Sequence, residues 1–258
     1  MNFKKIKTYY KPWAFAVVNN FLSRQEILNV KREILKIGNF DDKVMVNRKR
    51  VNKGSTNFEH LTKKSKAIKK LYKKINSVNF YRKISQIFEN EKLEWIPNDE
   101  FSVYSENFYG EQKFSLKEKI IKKLSFLNLI KTSMNLDIDF SVSEKGYYRA
   151  PHRDRDTRVI NFLIYLNTMD SNCGGSLEIH KSKINKNKQE DYNRFPKMNE
   201  VRCVKKIQPK AGTMVVFSSS PNSYHAAEKI KKNNLKRVFI YGSFSLNKKV
   251  LWTKNNLK

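Results

Sequence analysis

From about residue 135 to about residue 250 the chain is a succession of short extended segments, apolar or alternating, each closed by a turn signal. Nothing else in the sequence constrains the fold as strongly. The candidate strands cover 136–142, 146–154, 158–166, 176–180, 201–207, 213–218, 223–228 and 237–245. Gly174 and Gly175 mark the turn before the fourth, and Pro209 to Gly212 the turn before the sixth. Such a series predicts an antiparallel double-stranded β-helix, a jelly-roll (cupin-like) core.

The first 134 residues read as helix-rich. A strand over 13–21 leads into a helix capped by Ser23, with Glu26 as its capping-box partner, running to about Gly38. Residues 39–60 read as polar and irregular, and a helix is expected over about 61–89 with a break near Asn76 to Asn79. An extended piece at Glu100 to Phe108 and a helix over 114–131, with Leu116, Ile120, Leu124 and Leu127 on one face, complete this part. The expectation is one α+β domain, mainly β, with helices from 1–134 packed on a core at 135–250. Residues 181–200 are too polar for the core and read as a surface insertion, either a lid or a tolerated loop.

Four polar residues stand out within the core. His152 and Asp154 are two apart on a strand, so both project to one side and can share a metal. His225 follows the apolar run Thr213 to Phe217 and the turn Ser218 to Asn222, which places it at a barrel mouth. Two histidines and one carboxylate leave further positions on a metal open, as non-haem Fe(II) sites require. Arg237 opens the next strand, where a planar guanidinium can clamp a carboxylate through two parallel hydrogen bonds.

These residues carry a resemblance. GYYRAPHRD, RVINFLIYLN at 158–167, GGSL at 174–177, AGTMVVF at 211–217, SYHAAE at 223–228 and KRVFIYGSF at 236–244 resemble, in that order, the Fe(II)/2-oxoglutarate-dependent dioxygenases of the prolyl-4-hydroxylase-like branch. FAVVNNFLSRQEI at 15–27 is similar to the strand and helix that open many of them. The resemblance implies His152, Asp154 and His225 as Fe(II) ligands and Arg237 as partner of the distal 2-oxoglutarate carboxylate. It also implies that Tyr165 supports that carboxylate, with Asn161 in the co-substrate site where relatives often carry Thr. With O₂ as the third reactant, it implies hydroxylation of a C–H bond in an amino-acid, peptidyl-prolyl or small-metabolite substrate, with release of succinate and CO₂. Related halogenases replace the acidic ligand by a small residue, whereas Asp154 is present. Base demethylases carry a second arginine six positions after the first, and here that position is Ser243.

The net charge of +29 raises competing readings: a nucleic-acid or polyanion binder, or a metal-binding jelly roll without oxygenase activity. A jelly roll of the last kind has no need of a buried arginine at 237. Abundant Lys, Asn and Ile with scarce Ala and Gly is the pattern of AT-biased codons, so the charge alone does not favour a nucleic-acid partner over a small-molecule or peptide substrate. Cys173 and Cys203 read as ordinary thiols, His180 as a surface or core histidine, and His60 as exposed. Asp156 reads either as an orienting group for the metal ligands or as a partner of Arg153, Arg155 or Arg158. Ala14 to Val18 is too short for a signal peptide and no apolar run could span a bilayer, so a cytoplasmic location is expected.

Overall fold

The structure is a computed structural model and describes residues 1–38, 40–45, 47–89, 93–98 and 133–254, with the backbone only of 42–45. The expected elements at 100–108 and 114–131 lie outside the described residues. The chain opens with the hairpin β1 (Lys5–Tyr9) and β2 (Phe15–Asn19), followed by α1 (Arg24–Leu35). The capping box at α1 forms as expected: the Glu26 amide donates to Ser23 Oγ at 3.3 Å, and the Ser23 amide to Glu26 Oε2 at 3.0 Å.

The segment at 39–60 departs from the expectation of irregular chain. It contains β3 (Asp42–Met45), β4 (Arg48–Asn52) and the start of α2 (Thr56–Lys64). β4 pairs antiparallel with a core strand; its Val51 faces the core while Arg48, Arg50 and Asn52 line a cavity on the other side. The strand has alternation, but its inward face is polar, which is why apolar patterning misses it. The expected 61–89 helix starts earlier and is divided into α2, α3 (Lys66–Ile75) and α4 (Val78–Ser85), separated at Ser65 and at Asn76 and Ser77. Ser55, Ser65 and Ser77 each accept a hydrogen bond from the first turn of the helix they precede.

A short strand β5 (Trp95–Pro97) precedes the core strands β6 (Met134–Ser143), β7 (Arg149–His152), β8 (Arg158–Tyr165), β9 (Leu177–Ser182), β10 (Val201–Ile207), β11 (Met214–Ser218), β12 (His225–Ala227) and β13 (Arg237–Leu246). β14 (Trp252–Lys254) pairs with β5. The eight core strands divide equally between two antiparallel sheets, ordered β11-β8-β13-β6 and β10-β9-β12-β7. Their alternation between sheets is that of a double-stranded β-helix. β1 and β2 widen the first sheet at one edge, β4 and β3 at the other.

Period-two alternation gives the wide sheet two different faces. Phe140, Phe162 and Phe244 point outward and pack on Phe58, Phe80 and Tyr81 of the helices, with ring centroids 5.6, 5.3 and 5.1 Å apart. Gly242 lies over Phe162, where any Cβ would collide with the ring. Asp139, Ser141, Asn161 and Tyr241 point to the opposite, inner face, and the polar site is built between the sheets. Among the described residues no helix is long and apolar enough to cross a membrane.

Candidate active site

β7 and β12 are neighbours, and their register sets His152 directly opposite His225. The two rings lie 4.4 Å apart, and His225 Nε2 is 3.6 Å from Asp154 Oδ2. Ligand atoms of the three residues lie within 4.8 Å of one another, and all three are buried. Each histidine has Nδ1 against a main-chain carbonyl: Ala150 at 2.9 Å for His152, Ser223 at 3.0 Å for His225. A carbonyl only accepts, so Nδ1 carries the proton and Nε2 presents a lone pair to its partners in the triad.

Electrostatics keep this donor set in its ligating form. Burial lowers the pKa of His152 well below the ordinary value, helped by the charge of His225 and Arg149. Burial also lowers that of His225, against the pull of Asp154. For Asp154 burial works the other way, but Arg158, His225 and His152 outweigh it and hold the carboxyl far below the usual range. Neutral imidazoles beside an ionised carboxylate are what a divalent cation requires. Arg149 competes: its Nε–H donates to His152 Nε2 at 2.7 Å, and must turn away for a metal to bind there.

Asp154 is oriented by residues that spacing alone does not reveal. Arg158 Nη1 donates to Oδ1 at 2.7 Å and Tyr241 OH donates toward Oδ2 at 3.3 Å, while Arg158 also bonds and stacks on Tyr241. Asn161 does not line the cavity; it stands one layer behind, 3.0 Å from Tyr241 OH and 2.5 Å from Ser219 Oγ. Asp156 pairs with Arg153 and with Lys249 rather than with the triad.

Arg237 is 1% exposed, with its guanidinium 4.6 Å from the Phe239 ring centroid and 5.3 Å from that of Tyr165. Its Nη2 reaches Tyr165 OH at 3.3 Å, and among the described residues its Nε has no partner. Tyr165 is itself fully buried and outside the cavity lining, so its visible task is to position the arginine. A single cavity of about 400 Å³ joins Arg237 to His152, Asp154 and His225, walled by Leu163, Leu177 and Phe239.

Residues 138–244 match the model of the 2OG-Fe(II) oxygenase superfamily. The barrel belongs to that superfamily. Its members use Fe(II), 2-oxoglutarate and O₂, and the protein is accordingly an Fe(II)/2-oxoglutarate-dependent dioxygenase. Solved structures similar to this oxygenase include a Pseudomonas putida prolyl-4-hydroxylase, at 13% identity over 90% of this chain and 91% of that one, TM-score 0.45. A collagen prolyl hydroxylase of Paramecium bursaria chlorella virus-1 is similar at 14% identity over 90% and 94%, TM-score 0.43. A Trichoplax adhaerens prolyl hydroxylase, solved with a hypoxia-inducible-factor peptide, is similar at 18% over 90% and 83%, TM-score 0.47. No curated protein sequence matches the chain.

The remaining sequence candidates separate from the oxygenase site. His60 is exposed. His180 is buried on β9, where Glu178 lies 3.2 Å away and the Cys203 sulfur close by, a grouping that the β9–β10 pairing creates. Lys206 already neutralises Glu178 there at 3.0 Å. Both cysteines are free thiols. The 181–200 segment returns to the mouth: Arg153 donates to the Tyr192 carbonyl, Tyr224 OH to that of Asn193, and the Arg153 amide to that of Arg194.

Proposed function

We propose that His152, Asp154 and His225 hold the iron, that Arg237 supported by Tyr165 receives the distal carboxylate of 2-oxoglutarate, and that the oxygenase hydroxylates a C–H bond of a small-molecule or peptide substrate. Arg237 supports this most. A cation taken out of water costs several kcal/mol unless an anion joins it, and this one has an Nε unpaired among the described residues beside an open cavity. A carboxylate meeting it side-on, through Nε and one Nη, would satisfy that group with a pair of charge-assisted hydrogen bonds.

The donor set fits an iron ion as well. Three ligands each about 2.1 Å from one ion stand about 3–4 Å apart, close to the spacing of the triad atoms here. The bound metal and co-substrate supply O₂ activation and the oxidising power for C–H attack, with succinate and CO₂ as co-products. The protein's residues supply the setting. Arg158 keeps Asp154 ionised and, with Tyr241, orients it, the carbonyls of Ala150 and Ser223 hold each imidazole in one tautomer, and the Leu163 and Phe239 walls exclude water.

An anaerobic titration with Fe(II) and then 2-oxoglutarate tests this assignment through the visible charge-transfer band of an iron–keto-acid chelate. The band is expected in the native protein, absent in His225→Ala, and shifted to much higher co-substrate concentration in Arg237→Ala. A folded native protein that gives no band would refute the ligand assignment.

A further inference from the structure

The chain has 41 lysines and 12 arginines, and the active-site cavity inverts that ratio. Seven of the arginines line it, whereas among the described lysines only Lys53 does. Codon bias toward lysine acts on every position alike and does not concentrate arginine in one hollow. What distinguishes arginine is its planar fork, which matches carboxylate and phosphate oxygens in pairs.

Four of the seven serve the site already described. Arg48 grips Asp139 at 2.9 and 3.0 Å, with Arg50 3.8 Å from the same carboxylate. Arg158 holds Asp154 and Arg237 faces the co-substrate end. Arg149, Arg155 and Arg194 lie about the His152 end of the cavity, Arg194 with its Nε–H donating to the Arg153 carbonyl at 3.4 Å and its guanidinium 4.9 Å from the Phe195 ring centroid. Arg149 reaches the His152 ring, Arg155 adjoins Asp154 in sequence, and Arg194 is carried there by the returning 181–200 segment. Burial lowers the Arg194 pKa, and although Asp154 opposes this, Arg155, Arg149 and Arg158 lower it further. Phe195 sits beside them, 62% exposed, with its ring 6.4 Å from that of His152.

The cofactors do not account for this charge. Among the described residues three aspartates face eight cationic side chains in the lining, and the two positive charges of Fe(II) cancel the two negative charges of 2-oxoglutarate. The loaded cavity stays as cationic as the unloaded one. We propose that the substrate is a small organic anion bearing carboxylate or phosphate groups, held by Arg149, Arg155 and Arg194 at the cavity mouth with Phe195 against its apolar part. This deepens, and rests on, the oxygenase-site reading above. A cavity of about 400 Å³ fits a small molecule. A nucleic acid would instead follow an open basic groove, and the arginines here line a hollow.

Calorimetric titration of the full-length protein with pyrophosphate, with tricarballylate and, separately, with 2-oxoglutarate tests this. Arg155→Gln and Arg194→Gln are each expected to weaken binding of the better of the first two probes at least tenfold and to leave 2-oxoglutarate affinity within twofold. Arg237→Met is expected to do the reverse, and Lys70→Gln, on the exposed face of α3, to change neither. The ranking of pyrophosphate against tricarballylate tells phosphate from carboxylate. Melting curves of the two mouth variants, one exposed and one half-buried, identify a loss due to misfolding. Equal losses in Lys70→Gln, no loss in either mouth variant, or no binding of either probe would overturn the proposal. So would an oligonucleotide that binds a hundredfold more tightly than both probes through the same arginines. Retention of the probe pattern with no 2-oxoglutarate binding would instead sink the co-substrate assignment and leave the anion site standing.

Discussion

Burying Arg237 without a counter-charge among the described residues sets stability against affinity at one residue. The surrounding rings of Tyr165 and Phe239 would accept an apolar chain of similar volume, and replacing a buried ion with such a chain is often neutral or stabilising. Arg237→Met is therefore expected to raise the melting temperature of the ligand-free protein by about 2–4 °C, the shift about 1 kcal/mol produces at this size, while 2-oxoglutarate binding is lost. A lower melting temperature would mean that the arginine is already compensated in the free protein. Tyr241 acts differently, through Asp154. Its hydroxyl meets Arg158, Asp154 and Asn161, and burial raises its pKa so that it stays a neutral donor. Tyr241→Phe should weaken Fe(II) affinity about 10–100-fold, the usual effect of losing a group that orients a ligand, with folding retained. Chelator competition measures this, and unchanged affinity would assign the orientation of Asp154 to Arg158 alone.

At the scale of elements, the bonds that tie down the 181–200 segment are identifiable, among them those of Gln189 with Val250 and Trp252 and of Arg153 with Tyr192. Tyr224 OH donates to the Asn193 carbonyl at 2.8 Å, and burial pushes its pKa up to about 12, so the bond persists through the alkaline range up to that value. Tyr224→Phe is expected to accelerate amide exchange and proteolysis around 190–196 while costing only about 0.5–1.5 kcal/mol overall. Exchange that stayed slow would show that the bonds of Arg153 and Gln189 suffice. The same segment marks where sequence reading reached its limit. The eight core strands were legible because turn residues separate them and because, in β6, β8 and β13, Phe140, Phe162 and Phe244 belong to an apolar face. His152 and Asp154 were legible from their spacing, although β7 ends at His152 and Asp154 stands just beyond the strand expected to carry both. β4 was not, since Arg48, Arg50 and Asn52 carry its alternation with polar side chains. Arg194 was not either, because a loop path over the mouth leaves no periodic trace.

Across the whole molecule the net charge of +29 acts as self-repulsion that any compact state must overcome. Most of it is lysine outside the cavity, on surfaces such as α3, where charges interact through water. Between exposed charges the interaction is screened over about 10 Å at 0.1 M salt, so added salt removes more repulsion from the folded protein than from the expanded chain. The melting temperature is therefore expected to rise between about 20 mM and about 0.3 M NaCl, the range over which screening tightens. Chloride bound at Arg155 and Arg194 would raise it too, and the two causes separate by substitution. Diffuse screening hardly depends on one arginine among 53 basic residues, so Arg194→Gln should keep the same slope of melting temperature against salt. A slope that disappears in that variant would place the effect at the cavity mouth, and a native protein with no slope would mean that the surface lysines lie too far apart to repel.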